Sequence, residues 1–244
     1  MALTLASAAD LLKEHHLLRE IIQGDVWTDD PARIASADEP FAGITYDTRK
    51  VEPGTFLCCK GRFKAEYLQG IDERGLAAYV SENDFSDATQ APGLIVDDVR
   101  KAMALLSAEF YGRPQDQLKV VGITGTKGKT TTSFLVEHIF RNAGEPCGLI
   151  STVEYRDGKI VTPATHTTPD AGVLFPLLSE MRRNGMRAAA MELSSHALWQ
   201  GRVDGAKFRT TIFTNLTGEH LDYHGDMEHY YQAKKLFFTR LMAV

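Results

Sequence analysis

A glycine-rich segment near the middle of the chain has the residue types of a phosphate-binding loop. It reads Gly122-Ile-Thr-Gly-Thr-Lys-Gly-Lys-Thr-Thr-Thr132, and it joins a predicted strand, 118–123, to a predicted helix, 129–142. Glycines allow several backbone N–H groups to turn towards one anion, and the N-terminus of the helix adds a partial positive charge. In such a loop Lys129 reaches the β and γ phosphates and the Thr130 hydroxyl ligates Mg²⁺.

The spacing of this segment departs by one residue from the strict pattern G-x-x-x-x-G-K-T. Ile123 stands where the first glycine should be, and Gly122 precedes it. The alternative interpretation is a plain glycine-rich turn between a strand and a helix. Because Gly-Lys-Thr-Thr has little structural use in that position, the segment predicts a nucleoside triphosphate site with an exposed Lys129. The motif alone does not identify a reaction.

A carboxylate at the end of a later strand suits metal binding. Glu192 lies in a predicted strand, 188–193, and ligands of parallel sheets bind at the carboxyl ends of the strands. Carboxylate oxygens are ligands that Mg²⁺ prefers. The alternative role for Glu192 is to cap the helix that follows the strand.

A pair of histidines offers a different chemistry. His220 and His224 are four residues apart around Asp222, and two histidines at that spacing on one helix face can bind zinc. The glycines at 218 and 225 favour a loop instead, and no convincing third ligand accompanies the pair. A zinc hydrolase therefore stays a minor alternative.

Alternating strands and helices must position these residues. After a polar break at Gly112-Arg-Pro-Gln-Asp116, short apolar strands alternate with amphipathic helices, a pattern typical of a parallel sheet covered by helices. We therefore predict an α/β fold in two domains, 1–112 and 113–244. The predicted helices are 8–22, 98–110, 129–142, 171–183 and 227–242, with another near Gly70, and the predicted strands are 41–46, 56–60, 77–80, 93–96, 118–123, 147–151, 188–193 and 210–214.

Composition limits the class of protein. The chain has 244 residues and a formal net charge of −5, so a broad nucleic-acid-binding surface is not expected. Its three cysteines include no CxxC pair, which fits reduced thiols in the cytoplasm. No apolar run approaches the roughly 20 residues that span a bilayer, and the N-terminus has no basic leader. We expect a cytoplasmic monomer without a membrane span.

Five segments of the chain together resemble one enzyme family, the Mur ligases. These enzymes use ATP to add amino acids to the peptidoglycan precursor, and within the family the resemblance is nearest to the enzymes of the third step. The resemblance covers essentially the whole chain. The segments are Tyr46-Asp-Thr-Arg-Lys-Val-Glu-Pro-Gly54, Gly125-Thr-Lys-Gly-Lys-Thr130, Met191-Glu-Leu-Ser-Ser-His196, Phe213-Thr-Asn-Leu216 and His220-Leu-Asp-Tyr-His-Gly225.

The resemblance implies a role for particular residues of the second domain. It places Mg²⁺ on Thr130, Glu192, His220 and Lys234, with Lys234 carbamylated by CO₂, because a buried lysine has a lowered pKa and a reactive neutral amine. Lys129, Glu192, His220 and Lys234 are the implied catalytic residues. ATP is implied at Gly122, Thr124, Gly125, Thr126, Lys127, Gly128, Lys129, Thr130 and Thr131.

The resemblance also implies which residues hold the UDP-linked substrate. Domain 1–112 is the implied uridine-binding domain, and domain 113–244 is an implied ATPase-type central domain that is incomplete here. From the sequence alone, 165–170 is a turn with Asp170 as the N-cap of the next helix. The implied substrate-binding residues are Tyr46, Thr48, His166, Thr167, Thr168, Ser194, Gln200 and Arg202.

The implied reaction joins a third amino acid to UDP-N-acetylmuramoyl-L-alanyl-D-glutamate through an acyl phosphate, with ATP and Mg²⁺ as cofactors. The amino acid is L-lysine or meso-diaminopimelate, and the sequence leaves both open. We expect the 244-residue chain alone to be inactive. The alternatives are a non-catalytic module that binds the UDP sugar or nucleotide, and a ligase similar to folylpolyglutamate synthetase.

Overall fold

The structure, a computed structural model, describes residues 2–241, without the side chain of Arg240. The chain divides into two compact units, Met1–Phe110 and Tyr111–Val244. Each unit contains its own six-stranded sheet. Among the described residues, no helix combines the length and the apolar character needed to cross a membrane.

The first unit is a mixed sheet with helices. Its strands lie in the order β2-β1-β6-β5-β4-β3, in which β3 to β6 are parallel and β1 is antiparallel to both of its neighbours. Short 3₁₀ turns at Ala65–Leu68 and Asp72–Arg74 occupy the region of the helix predicted near Gly70. The elements are α1 (Leu5–Glu14), β1 (Leu18–Gln23), β2 (Val26–Thr28), β3 (Gly43–Thr45), β4 (Thr55–Cys58), β5 (Leu76–Ser81), β6 (Gly93–Val96) and α2 (Val99–Phe110).

The helix predicted over 8–22 is wrong in its second half. Helix α1 begins with a capping box between Thr4 and Ser7 and ends at Glu14, and His16 then adopts a left-handed φ of 55°. The following residues form β1, where Ile21 pairs with Leu94 of β6. Apolar residues in a short run fit a buried strand as well as a helix, and here the cross-strand partners decided.

The second unit is a three-layer α/β structure. Its strands lie in the order β10-β9-β8-β11-β7-β12, and β8, β11, β7 and β12 are parallel. A short antiparallel hairpin, β9 and β10, extends one edge. The elements are β7 (Lys119–Thr124), α3 (Lys129–Asn142), β8 (Cys147–Ile150), β9 (Glu154–Arg156), β10 (Val161–Pro163), α4 (Ala171–Arg183), β11 (Ala188–Glu192), α5 (Ser195–Trp199), β12 (Thr210–Phe213), α6 (Leu221–His224) and α7 (Met227–Arg240).

Alternating faces of β7 separate the two helical layers. Val121 and Ile123 lie in a core cluster against which Phe134 of α3 packs. Gly122 faces the other side, where Phe237 of α7 lies so close that an added Cβ would be 2.3 Å from its Cζ. The helix predicted over 227–242 is present as α7, and its last predicted residue lies outside the described residues. The carboxyl ends of the four parallel strands meet at one edge of this sheet.

Replacing Gly122 with alanine should destabilise the second unit by about 1–3 kcal/mol, because the extra methyl group overpacks a filled core. Denaturant unfolding of the 244-residue chain measures this. Gly43→Ala is the matched control, since its Cβ would have 3.6 Å to the nearest atom, Thr55 Oγ1. A Gly122→Ala midpoint equal to that of the control would contradict the packing role.

Candidate active site

The loop between β7 and α3 is held open by two glycines and one asparagine. Gly125 has a φ of 143° and Gly128 a φ of 82°, and a Cβ on Gly125 would lie 1.9 Å from Thr214 Oγ1. Asn215 clamps the loop: its Oδ1 accepts from the Lys127 N–H at 3.0 Å and its Nδ2 donates to the Lys127 carbonyl at 3.0 Å. These contacts fix the loop conformation before any ligand binds.

The N-terminus of α3 presents unpaired backbone donors to the same space. Its N-cap is Gly128, which has no side chain and makes no capping hydrogen bond. The N–H groups of the first helical turn have no intrahelical partner, and the helix dipole adds positive charge where they point. The arrangement is suited to bind phosphate oxygens.

Lys129 lies over this loop and is half-buried, so the expected exposure was wrong. Its Nζ donates to the carbonyl oxygens of Gly125 at 2.9 Å and Thr126 at 2.8 Å. Burial lowers the pKa of the Lys129 ammonium, while the carboxylates of Glu192 and Glu219 oppose that change. The Lys129 side chain points back towards the loop because the carbonyl groups there solvate its charge.

Glu192 is fully buried at the carboxyl end of β11. Its carboxylate accepts hydrogen bonds from one residue of α3 and from one residue that follows β8. It accepts from Thr130 Oγ1 at 3.1 Å, from the Thr152 N–H at 3.0 Å and from Thr152 Oγ1 at 3.0 Å. The structure therefore brings the predicted metal ligands Thr130 and Glu192 into contact. Thr152 was missed by the sequence analysis, although it follows β8, the strand beside β11.

Lys234 is a buried lysine on α7 that also reaches the loop. Its side chain is 1% exposed, and its Nζ donates to the Gly125 carbonyl at 2.9 Å and lies 4.7 Å from the centre of the Tyr230 ring. Burial lowers the pKa of Lys234 to about 7, and the Lys129 ammonium adds to this effect. The Gly125 oxygen thus accepts from two lysines, whose charges repel each other.

Comparisons with known proteins agree with this geometry. Residues 123–243 match the Mur ligase middle domain. The UDP-N-acetylmuramyl-tripeptide synthetase of Bifidobacterium longum is 59% identical over 239 residues, which is 96% of this chain and 46% of that protein. The chain belongs to the Mur ligase family.

Further relatives show the same partial coverage. The UDP-N-acetylmuramoyl-L-alanyl-D-glutamate--2,6-diaminopimelate ligase of Geobacillus thermodenitrificans is 45% identical over 202 residues, 81% of this chain and 41% of that enzyme. A solved structure of such a diaminopimelate ligase has a TM-score of 0.76 at 25% identity, covering 99% of this chain and 46% of that one. The chain therefore spans less than half the length of the curated relatives it matches.

A more distant structure shares the fold. MurF ligase from Thermotoga maritima, solved in complex with ADP, has a TM-score of 0.54 at 18% identity and covers 81% of this chain and 43% of its own. The predicted α/β fold with a parallel central sheet is confirmed by the Mur ligase structures.

In this Mur ligase chain, His220 belongs to a cluster of rings next to Lys234. The His220 ring lies 5.0 Å from His196 and 6.3 Å from Tyr230, whose ring also faces Lys234. Tyr230 in turn hydrogen-bonds Thr126 of the loop at 3.1 Å. The sequence analysis assigned no role to Tyr230, yet this side chain contacts two predicted site residues, Thr126 and Lys234.

The zinc alternative finds no support in the geometry of the described residues. His224 is buried and its Nε2 lies 2.9 Å from Ser195 Oγ. Burial lowers the pKa of both His224 and His196. Among residues 2–241, no group of three or more His, Cys, Asp or Glu side chains is placed to hold a metal ion.

Most of the predicted substrate-binding residues of the second unit lie together beside Glu192. Thr168 Oγ1 donates to the Glu192 carbonyl at 2.9 Å and accepts from the Ser194 N–H at 2.9 Å. Arg202 Nε donates to Gln200 Oε1 at 2.9 Å and lies 3.2 Å from Asp170 Oδ1. Asp170 is the N-cap residue of α4, but its side chain makes no capping hydrogen bond.

Two predicted substrate residues sit at the rim of this group. Thr167 Oγ1 lies 3.1 Å from Thr152 Oγ1, so it is linked to Glu192 through Thr152. The His166 side chain is exposed, and its backbone N–H donates to Tyr155 OH at 3.1 Å.

Tyr46 and Thr48 belong to the first unit, where Lys60 Nζ lies 3.8 Å over the Tyr46 ring and Thr48 begins a 3₁₀ turn.

Two residues predicted to bind ATP are placed in the core. Gly122 lies within β7 under Phe237. Thr124 is fully buried, and its Oγ1 donates to the Leu193 carbonyl at 2.9 Å, which ties the end of β7 to the end of β11. Both residues support the loop from beneath, whereas Lys127, Gly128 and Thr131 lie at its surface.

Proposed function

We propose that this chain holds the ATP- and UDP-substrate-binding parts of the ligase that adds the third amino acid to UDP-N-acetylmuramoyl-L-alanyl-D-glutamate. One observation carries the proposal: the Thr130 hydroxyl and the buried Glu192 carboxylate meet beside a loop whose lysine and helix N-terminus favour phosphates. The names of the relatives support this step of peptidoglycan precursor synthesis. The three free, buried cysteines fit a cytoplasmic location.

The reaction transfers the γ-phosphoryl group of ATP to the D-glutamate carboxylate and leaves ADP. The amine of the third amino acid then attacks the acyl phosphate, so that the amide bond forms while inorganic phosphate and a proton are released. The N–H groups at the start of α3 and the Lys129 ammonium hold the phosphates and neutralise their charge, which is the main protein contribution in phosphoryl transfer. To hold the phosphates, Lys129 exchanges its carbonyl partners for phosphate oxygens.

The donor set at Glu192 fits Mg²⁺, since this ion binds one or two protein oxygens together with phosphates and water. Thr130 and Glu192 would hold it, with His220 and carbamylated Lys234 on the side of Tyr230. When bound, Mg²⁺ stabilises the charge of the transferred phosphoryl group. Hydrogen bonds from Thr130 and Thr152 hold the Glu192 carboxylate in place for this role.

Lys234 carries a carbamate in the active enzyme. Its neutral amine attacks CO₂, the N–C bond forms, and one proton is released to solvent. The carbamate replaces a buried cation next to Lys129 by an anion, so repulsion between the two lysines becomes attraction.

Thr168, Ser194, Gln200 and Arg202 hold the muramoyl peptide, and the Arg202 guanidinium binds a carboxylate in two places.

Carbamylation of Lys234 should rise steeply between pH 6 and pH 8. With a pKa of about 7, half of the amine is neutral at pH 7, against roughly four in ten thousand for an ordinary lysine of pKa 10.4. The neutral fraction grows as pH rises through the pKa, and only that form reacts. ¹³C NMR of the chain in ¹³C-bicarbonate measures the carbamate signal.

Lys234→Met should remove that signal, and Lys235→Ala is the matched control because Lys235 is the exposed neighbour on the same helix. The carbamate of the α-amino group stays in both variants and serves as an internal reference. A Lys234 signal that is absent at pH 8 would contradict the proposed carbamate.

A ligase assay on the complete gene product tests the proposed function. Phosphate release should require the UDP-linked dipeptide and one of two amino acids, L-lysine or meso-diaminopimelate, supplied in separate reactions. A parallel reaction with a folate and glutamate tests the folylpolyglutamate synthetase alternative. Turnover in that reaction alone, or binding of the UDP-dipeptide without any turnover, would overturn the proposal.

A further inference from the structure

Three neighbouring parallel strands of the second unit begin next to a basic residue. Arg187 precedes β11, Lys119 is the first residue of β7, and Arg209 precedes β12. Parallel strands start at the same edge of a sheet and lie about 4.8 Å apart. The three cations therefore line one edge, opposite to the phosphate loop.

A cavity of about 530 Å³ opens at this edge, and all three basic residues line it together with Lys207. Two carboxylates, Asp116 and Glu145, also line it, so the cavity has an excess of two positive charges. The chain as a whole has a net charge of −5. The local charge is thus opposite in sign to that of the protein, which favours an anion in this cavity.

The ion pairs inside the cavity are too long to satisfy the hydrogen-bond donors of its basic side chains. Lys119 and Arg187 share Glu145 at 3.4 and 3.6 Å, and Lys207 lies 3.6 Å from Asp116. Charge-assisted hydrogen bonds are normally about 2.7–2.9 Å long, so these contacts are loose. Within residues 2–241, no hydrogen bond or ion pair engages the Arg209 guanidinium, while Asp116 also pairs with Arg113 at 2.6 Å.

Gln115 supplies a second, independent observation. It lines the cavity, its side chain is only 3% exposed, and neither its Nε2 nor its Oε1 has a hydrogen-bond partner among the described residues. A buried amide without partners costs free energy unless something else pairs with it. Its donor and acceptor suit the polar groups of a bound molecule.

We propose that this cavity is a binding site for a phosphate group, either free phosphate or the phosphate of a small nucleotide. Arg209, Lys207 and Arg187 bind the anion, and Gln115 pairs with a polar edge of the ligand. The cavity volume is within the range of small-molecule sites. The site is separate from the phosphate loop, because the six residues of β7 lie between them, a span of roughly 20 Å.

Titration of the ¹⁵N-labelled chain with inorganic phosphate, and separately with AMP, tests the site at constant low ionic strength. Backbone amide shifts should appear at 115–119, 187 and 207–209 and should persist in Lys129→Ala, which disables the phosphate loop. The double variant Lys207→Ala/Arg209→Ala should weaken phosphate binding at least about tenfold, since two charge-assisted contacts are lost. Arg183→Ala, an exposed arginine elsewhere on the second unit, is the control.

The two ligands distinguish the source of the phosphate group. If AMP binds more tightly than phosphate and Gln115→Leu removes that difference, the ligand is a nucleotide; equal affinities indicate free phosphate. Shifts confined to residues 125–131 would overturn the proposal. So would shifts that chloride reproduces at the same ionic strength, or unchanged binding by both the double variant and Arg209→Gln.

Discussion

Glu192→Ala should lower ligase turnover at least about a thousandfold, which corresponds to about 4 kcal/mol of lost transition-state stabilisation. The reason is that this buried carboxylate is the proposed oxygen ligand for Mg²⁺ and also accepts the hydrogen bond that orients Thr130. Steady-state phosphate release by the complete gene product, with Mg²⁺, ATP and both other substrates, measures the effect. Glu180→Ala should keep normal turnover, because Glu180 is an exposed carboxylate on α4.

The same substitution has a cost in stability that must be separated from its effect on catalysis. Removing the carboxylate leaves the Thr152 N–H and the hydroxyls of Thr130 and Thr152 without their acceptor. Each unsatisfied buried group costs about 1–3 kcal/mol. Glu192→Gln keeps an acceptor for Thr152 and fills the same volume, so it should fold better and still lose turnover. Normal turnover by a folded Glu192→Gln enzyme would refute the assigned role.

Lys129→Ala should weaken binding of Mg²⁺ and ADP at least about 100-fold, or about 2.7 kcal/mol. Contacts between an ammonium and phosphate oxygens are strong, charge-assisted hydrogen bonds, and alanine has no donor to make them. The fold should survive, because the Gly125 carbonyl keeps its hydrogen bond from Lys234. Calorimetric titration of the 244-residue chain measures the affinity.

Lys159→Ala is the matched control for that titration, since Lys159 is an exposed lysine in the turn between β9 and β10. Circular dichroism of both variants checks the fold. An unchanged nucleotide affinity in Lys129→Ala would contradict the phosphate-loop assignment. Equal losses of affinity in both variants would indicate a general effect of charge.

Local signals in the sequence predicted the elements that carry the site. Helices α3 and α4 begin and end where their apolar spacing and terminal residues predict, and β6 matches its predicted range. Strand β1 was missed, since its hydrogen bonds to β2 and β6 come from residues distant in sequence. The hairpin of β9 and β10 was missed as well, because β10 is exposed and has no alternating apolar pattern.

The residue types and their order along the chain determined the phosphate loop, the strand that ends at Glu192 and the family, because each of these depends on contiguous residues. Only the tertiary structure decided which side chains meet. Thr130 and Glu192 are 62 residues apart in the chain, and Thr126 and Tyr230 are 104 apart. Burial of Lys234, the clamp by Asn215 and the unpartnered amide of Gln115 arise in the same way. Such properties depend on the packing of whole layers against each other, which periodicity along one segment does not encode.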